Sequence, residues 1–544
     1  MTSQMSLLSP NPKSAVGEPL GASWTTRYVA TLLTGFIPLY LVTRSSILIG
    51  DGEAWITAAA LEGLEGYYGA PGHFLQAPLA RSVWLALGML GLPAPLDVVF
   101  LAFSFLGTLT AIVFVGLIAA ELLRSKTAAW LGALLFGTSL VAWTQWNGEL
   151  YGLALGFATA GLFFALRGRI LVPACLWAFA VLSHFEFALA APAFVVAVWM
   201  AHSTAPTDRK LLMASLLLGL AATISVFLLL VGSWSIGKWE NMPTLVEWLR
   251  YNLFTIHERD LKGPDVIRAM KGLLTAHTVA GHYWRDILTG RGPWDNLWFV
   301  PASAIGFLIL VATGALIAAA AWQRRLALIA VTWLIPFHVL FNWWFVPTVE
   351  KYHAGALVGL TLLITGGLMH LGARLQMSAR YRLYATYVIA CAGLNLIGAV
   401  LPMQAIGREI DSATAAIHQL NDEHGGKIAF LSCDDQMALG QVRYLRIRSI
   451  WTGTVSEIQD GIVSWTRARV SEGDQPYVLD RWCWPEEWIT EWSQERFDLF
   501  FLKRDFDLTA TRVTAVPVAR SVTTNPFSWR RGDVFRLDPP SGLR

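Results

Sequence analysis

The chain has 544 residues, of which 55% are apolar and only 15% charged, with a formal net charge of +3 and a mean hydropathy of +0.48. A soluble protein is about a quarter charged, so a pair of water-soluble domains, the default for this length, is excluded. Disorder, a collagen-like chain, a disulfide scaffold and nucleic-acid binding through a basic run are excluded too. The composition predicts an α-helical polytopic membrane protein.

Residues 1–27 are polar and rich in Pro, Gly and Ser, and read as a cytoplasmic tail. The apolar run at 28–48 exceeds the roughly 7–15 residues of a signal core and is expected to stay as a first spanning helix. Neither end carries a lipidation motif. Further runs long enough to span lie at 97–121, 127–146, 149–166, 211–234, 297–321, 326–346, 353–373 and 383–403. The apolar block 170–200 is interrupted by Ser183-His184-Phe185-Glu186 and reads as two short helices meeting at a polar tip, for about eleven spans in all. The apolar stretch Leu79–Leu92, bounded by Pro78 and Pro93, is too short to cross and is expected to lie along the interface.

Charge tests this division. Lys13, Arg27, Arg124, Lys126, Arg167, Arg169, Arg209, Lys210, Arg324, Arg325, Arg374, Arg380 and Arg382 fall on alternate connections, and acids on the others. The positive-inside rule puts the basic set in the cytoplasm, with the N-terminus inside and the C-terminal region outside. Three outer pieces are large: 50–96, 235–296, and everything from 404 to 544. The last reads as a small extracytoplasmic α/β domain, with strand-like Lys427–Ser432, Tyr477–Leu479, Phe497–Leu502 and Val534–Leu537. Trp451, Trp465, Trp482, Trp484, Trp488, Trp492 and Trp529 crowd it, as core or as faces for stacking sugars. Cys433 and Cys483 are both in this region, where a pairing is open to an oxidising compartment. Cys175 and Cys391 fall within spans and read as packing.

The acids are the informative feature. The outer connections present Asp51, Glu53, Glu149, Glu186 and Glu350, accompanied by His73, His184, Lys351 and His353. Ionisable groups near membrane helices are costly and tend to be functional, so a ring of them at one face reads as the rim of a cleft. Asp51 precedes an amphipathic stretch and suits a helix N-cap, whereas Glu53 has no equally simple structural duty.

Gly50-Asp51-Gly52-Glu53, the small-residue segment Ala58-Ala59-Ala60-Leu61, and then Ala70-Pro71-Gly72-His73 with Pro78-Leu79 resemble the first outer loop of GT-C membrane glycosyltransferases. The nearest branch is protein O-mannosyltransferase-like. Trp146-Asn147-Gly148-Glu149-Leu150-Tyr151 is similar to that branch's second outer motif, an acid followed by Tyr. Leu182-Ser183-His184 and Glu350-Lys351-Tyr352-His353 sit where GT-C proteins place polar residues at the cleft. The branch's His-Pro-Pro-Gly element is here Ala70-Pro71-Gly72-His73, with the histidine on the other side. No Asp-x-Asp stands in the second outer loop, unlike metal-dependent oligosaccharyltransferases.

The resemblance implies an integral membrane protein, of the bacterial inner membrane. It implies inverting transfer of a sugar from a polyprenyl-phosphate donor to a lipid, glycan or protein acceptor on the outer face. Asp51 and Glu53 would be catalytic, one of them removing the acceptor proton. Glu149, Tyr151, His73, His184, Glu186, Glu350 and His353 would contact substrate. The departing phosphate requires cations, with Lys351 first and Arg44, Arg81 or Arg285 after it. No cofactor is expected, a divalent metal being the less favoured alternative: His257, His277 and His282 lack ligand spacing. Snorkelling anchors account for Lys351 and Arg44 on the structural side. A transporter or lipid flippase without chemistry is the competing class, against which stand spans nearly free of charge and the lack of repeated halves. Among enzymes, an aminoarabinose-type lipid A transferase or a wall-polymer arabinosyl- or mannosyltransferase shares the same logic.

Overall fold

A computed structural model describes residues 21–45, 75–92, 94–146, 151–169, 171–201, 266–282, 299–342, 350–432, 449–452, 455–479, 509–519 and 529–538. Asp51, Glu53, His73, Glu149, Arg285, His257, Cys433 and Cys483 lie outside the described residues, as does the apolar run 211–234.

The apolar runs become helices: α1 (Ala22–Thr43), α2 (Gln76–Met89), α3 (Leu96–Leu123), α4 (Lys126–Gly137), α5 (Leu140–Trp146), α6 (Gly152–Leu166), α7 (Leu171–Ser183) and α8 (Ala191–Ala201). After these come α9 (Val266–His277), α10 (Phe299–Ala320), α11 (Arg324–Ile335), α12 (Ala354–Gly372), α13 (Met377–Asn395) and α14 (Leu401–Glu423). Among the described residues, four helices are long and apolar enough to cross a bilayer: Leu96–Leu123, Val300–Ala320, Ala354–Gly372 and the continuous helix Met377–Glu423. The stretch expected at the interface is helical as α2 up to Met89, and Leu85, Met89, Leu90 and Leu92 are exposed. The run 127–146 is divided at Thr138-Ser139, where Ser139 Oγ accepts the Ala142 N–H and so caps α5. The run 326–346 leaves α-geometry at Pro336 and goes on as a π-helical turn, Pro336–Asn342. A proline removes a backbone donor, and such turns are frequent where helices carry function.

Helix α3 is the hub, packed against α4 and α6. Its crossing with α6 is as close as backbones allow: a Cβ on Gly107 would run into Gly152, and one on Gly156 into Gly107. Small residues let helices approach where lipid offers no hydrophobic drive. Tyr28 donates into the α3/α4 pair and Tyr40 Oη donates to Gly137 O at 2.6 Å, fastening α1 along its length.

The hairpins sort the chain into two ends. At one end Lys126 lies 5.8 Å over Trp24, and Glu121 takes both Arg124 (3.0 Å) and Arg167 (3.3 Å). Three connections with basic residues, assigned to one side by charge alone, therefore meet. At the other end the α1 terminus receives Trp143 Nε1 at Thr43 O and Gln404 Nε2 at Val42 O, while Ser45 Oγ donates to Met403 O.

Helix α14 runs through Gln404 to Glu423, and a five-stranded sheet follows: β1 (Ile428–Ser432), β2 (Ser449–Thr452), β3 (Gln475–Leu479), β4 (Thr509–Ala519) and β5 (Trp529–Asp538), in the order β2-β1-β3-β5-β4. β1 is parallel to β2 and β3, with α15 (Val455–Ser471) as the crossover from β2 to β3. β3, β5 and β4 are antiparallel neighbours, with Tyr477 opposite Arg536. Ile428, Ala429, Phe430 and Leu431 are buried without alternation, as a strand covered on both faces should be. Phe497–Leu502 lies outside the described residues.

Candidate functional site

The end of the bundle opposite Glu121 gathers polar side chains from four connections. Between α7 and α8 the chain forms a 3-10 turn, Phe185–Ala190. His184 precedes it, with Nδ1 3.7 Å from Glu186 Oε2. Both are buried, His184 at 4% and Glu186 at 1% exposure. Neither Glu186 oxygen has a hydrogen-bond partner among the described residues, and burial pushes this carboxyl well above the usual carboxylate range. An ionised carboxylate so placed would be poorly solvated, and burial therefore favours the neutral acid.

Tyr151, at the start of α6, brings its ring to 4.1 Å from that of His184. On its other side stands Tyr352, 6.4 Å away and edge-on. Tyr352 belongs to the 3-10 turn Glu350–His353, which leads into α12. That turn is tied down by Asn342, whose Nδ2 donates to Tyr352 O at 2.6 Å. From the same π-helical turn, His338 sets its ring 5.9 Å from that of His353. Phe187 is 6.3 Å from the His184 ring and 5.4 Å from that of Phe337.

Tyr151, His184, Glu186 and His353 are thus brought to the same end of the bundle. Glu350 and Lys351 enter the same turn by their backbone, their side chains lying outside the described residues. Arg44 is exposed just beyond α1, and Arg81 is half-buried one turn into α2. His277, one of the conceivable metal ligands, turns instead to Tyr387. Among the described residues no group of three His, Cys, Asp or Glu side chains converges.

Four polar residues at this end escaped the sequence reading: His338, Asn342, Gln76 and Gln145. Gln76 and Gln145 are completely buried, and among the described residues neither amide has a hydrogen-bond partner. Gln76 follows Leu75, whose N–H donates to Leu182 O two residues before His184. Gln145 is in α5, which packs on the Glu350–His353 turn and on α9. One signal was available for His338 and Asn342: Pro336 inside an apolar run predicts a break, and a break inside a membrane needs polar company.

Such a mouth can surround a polar, hydroxyl-bearing ligand. It offers a carboxyl group, imidazoles, amides whose donors and acceptors have no hydrogen-bond partner among the described residues, and tyrosine faces for stacking.

No family model matches the chain, and no curated protein does. Among solved structures, the chain is similar to ArnT from Cupriavidus metallidurans in the apo state, at 14% identity and a TM-score of 0.50, over 94% of this chain and 98% of that one. The fold is the GT-C fold. The same ArnT bound to undecaprenyl phosphate superposes at a TM-score of 0.45, with 14% identity and equal coverage, a likeness too loose to argue from. The fold expected from the motifs is therefore the one found; the likeness is to ArnT and does not reach the O-mannosyltransferase-like branch.

Proposed function

We propose that the chain is an inverting glycosyltransferase that moves a sugar from a polyprenyl-phosphate donor to a hydroxyl of a lipid, glycan or protein acceptor. The buried polar mouth, whose Gln76, Gln145 and Glu186 have no hydrogen-bond partner among the described residues, carries this reading in a GT-C fold. The acceptor oxygen attacks the anomeric carbon as its proton passes to Asp51 or Glu53; the bond to the phosphate oxygen breaks, and polyprenyl phosphate departs with the electron pair. Paired carboxylates titrate together, so the base is assigned to the pair. Lys351 meets the developing phosphate charge, on a turn that Asn342 holds in place. Tyr151, His184, Glu186 and His353 hold the sugar, with His73, Glu149, Glu350, Arg44 and Arg81 around them. The first outer-loop motifs favour the O-mannosyltransferase-like branch. Placing the basic end in the cytoplasm puts the mouth and the C-terminal sheet outside the bacterial inner membrane.

The test is transfer of a labelled sugar from synthetic polyprenyl-phosphate donors by purified protein. Asp51→Asn and Glu53→Gln are run beside wild type, with EDTA present and absent. The expected outcome is transfer that survives EDTA and falls by about 10²–10⁴-fold in at least one variant, the usual worth of a general base, with donor binding intact. Lipid or solute movement in vesicles without any transfer would instead establish a transporter.

A further inference from the structure

Helix α9 belongs to the long polar connection 235–296, yet its C-terminal end is sealed inside the bundle: His277 is 1% exposed, and Ala276, Val279 and Ala280 are fully buried. The backbone turns there, over Thr278–His282. Irregular backbone enclosed by apolar helices must find its hydrogen bonds within the protein.

Asn395, the last residue of α13, supplies them. Its Oδ1 accepts the Val279 N–H at 2.8 Å, and its Nδ2 donates to His277 O at 3.0 Å and to Thr138 O at 2.9 Å. Both amide hydrogens are spent, and α9 is joined to α13 and to the end of α4 at once. A second tie runs through Tyr387. Its Oη is 2.7 Å from Thr313 Oγ1 and 3.3 Å from His277 Nε2, and Cys391 Sγ lies 3.7 Å from the same ring nitrogen.

The other end of α9 reaches the mouth. Met270 lies about 10 Å up the helix from His277 at 1.5 Å per residue, and its Sδ is 3.1 Å from His338 Nε2. The same helix packs on the Glu350–His353 turn. We propose that Asn395, seconded by Tyr387, is a positioning residue for the site: by pinning α9 it sets the His338 ring against His353. The proposal rests on the glycosyl-transfer reading only for its kinetic test.

Two variants separate the ties. Asn395→Leu removes three hydrogen bonds at similar volume, and Tyr387→Phe removes one hydroxyl. In full-length protein with ¹³C-labelled histidines in nanodiscs, the His338 Cε1–H resonance is assigned by its loss in His338→Phe. It is expected to move in Asn395→Leu and less in Tyr387→Phe, which decides the matter should the first variant not fold. An unmoved His338 signal in the folded variant overturns the proposal, even with a lowered melting temperature, because that would be scaffolding alone. In the transfer assay kcat should fall about 10- to 100-fold, as for an ångström-scale misplacement, with donor KM little changed. A raised KM at constant kcat would count against it. Absence of transfer by wild type would sink the enzymatic reading and leave the resonance to decide this one.

Discussion

Both ends of the helical bundle hold a carboxylate among polar residues, and they treat it in opposite ways. At the basic end Glu121 has two arginine partners, and Arg124 and Arg167 keep 51% and 38% of their side chains in the open. At the mouth, Glu186, Gln76, Gln145 and Asn342 are buried with polar atoms that lack a hydrogen-bond partner among the described residues. The first arrangement is what a chain needs on leaving a membrane. The second costs stability, because each unsatisfied buried group forfeits its hydration. Gln76, Gln145 and Glu186 cluster at one end, as a ligand site would require, whereas Thr361, Thr365 and Tyr384, which also lack a hydrogen-bond partner among the described residues, are spread along the helices.

Gln145→Met gives the sharpest way to break this contrast. The substitution keeps length and removes an unpaired amide, so the empty protein should gain about 1–2 kcal/mol in thermal unfolding, while donor binding weakens. Destabilisation would show that the amide is already satisfied, and the contrast between the ends would fail. The next test uses pH. The folded chain keeps Glu186 protonated where the unfolded chain has ionised it, so stability declines as pH rises above the ordinary carboxylate range. Below that range both states are protonated and the difference disappears. Glu186→Gln stays neutral throughout and should melt increasingly above wild type as the pH is raised. Parallel pH profiles for the two proteins would mean that Glu186 is solvated or paired.

Hydropathy made the helices legible, and basic residues sorted their ends; the meeting of Arg124 and Arg167 on Glu121 is what that sorting requires. Strand patterning found β1, β3 and β5 from their apolar runs. It missed β2, only Ser449–Thr452, and β4, whose Thr509–Ala519 sequence mixes Thr, Arg and Pro and gains its conformation from β5. At the site, the polar tip His184-Phe185-Glu186 stood out because it interrupts an apolar block. His338 and Asn342 did not, since a single polar residue in an apolar run looks the same whether it faces a cleft or a neighbouring helix. Asn395 was invisible for a different reason. Its three partners, on Thr138, His277 and Val279, are backbone groups more than a hundred residues away, and no local pattern encodes a tertiary bond to a main chain.

The basic end supplies the smallest predicted effect, and it is the control for the rest. Arg167 lies over the Phe163 ring at 5.0 Å as well as against Glu121, so Arg167→Met keeps the apolar cover and removes only the charge. Glu121 retains Arg124, and the lost contact is partly exposed, so the cost should stay below about 1 kcal/mol and shrink with added salt. Transfer activity should not change, because among the described residues the partners of Arg167 lie at the basic end. A loss comparable to the gain expected for Gln145→Met, or a change in transfer rate, would mean that the ion pair locks a conformation both ends share. The basic end would then be part of the machinery rather than the boundary of the membrane domain.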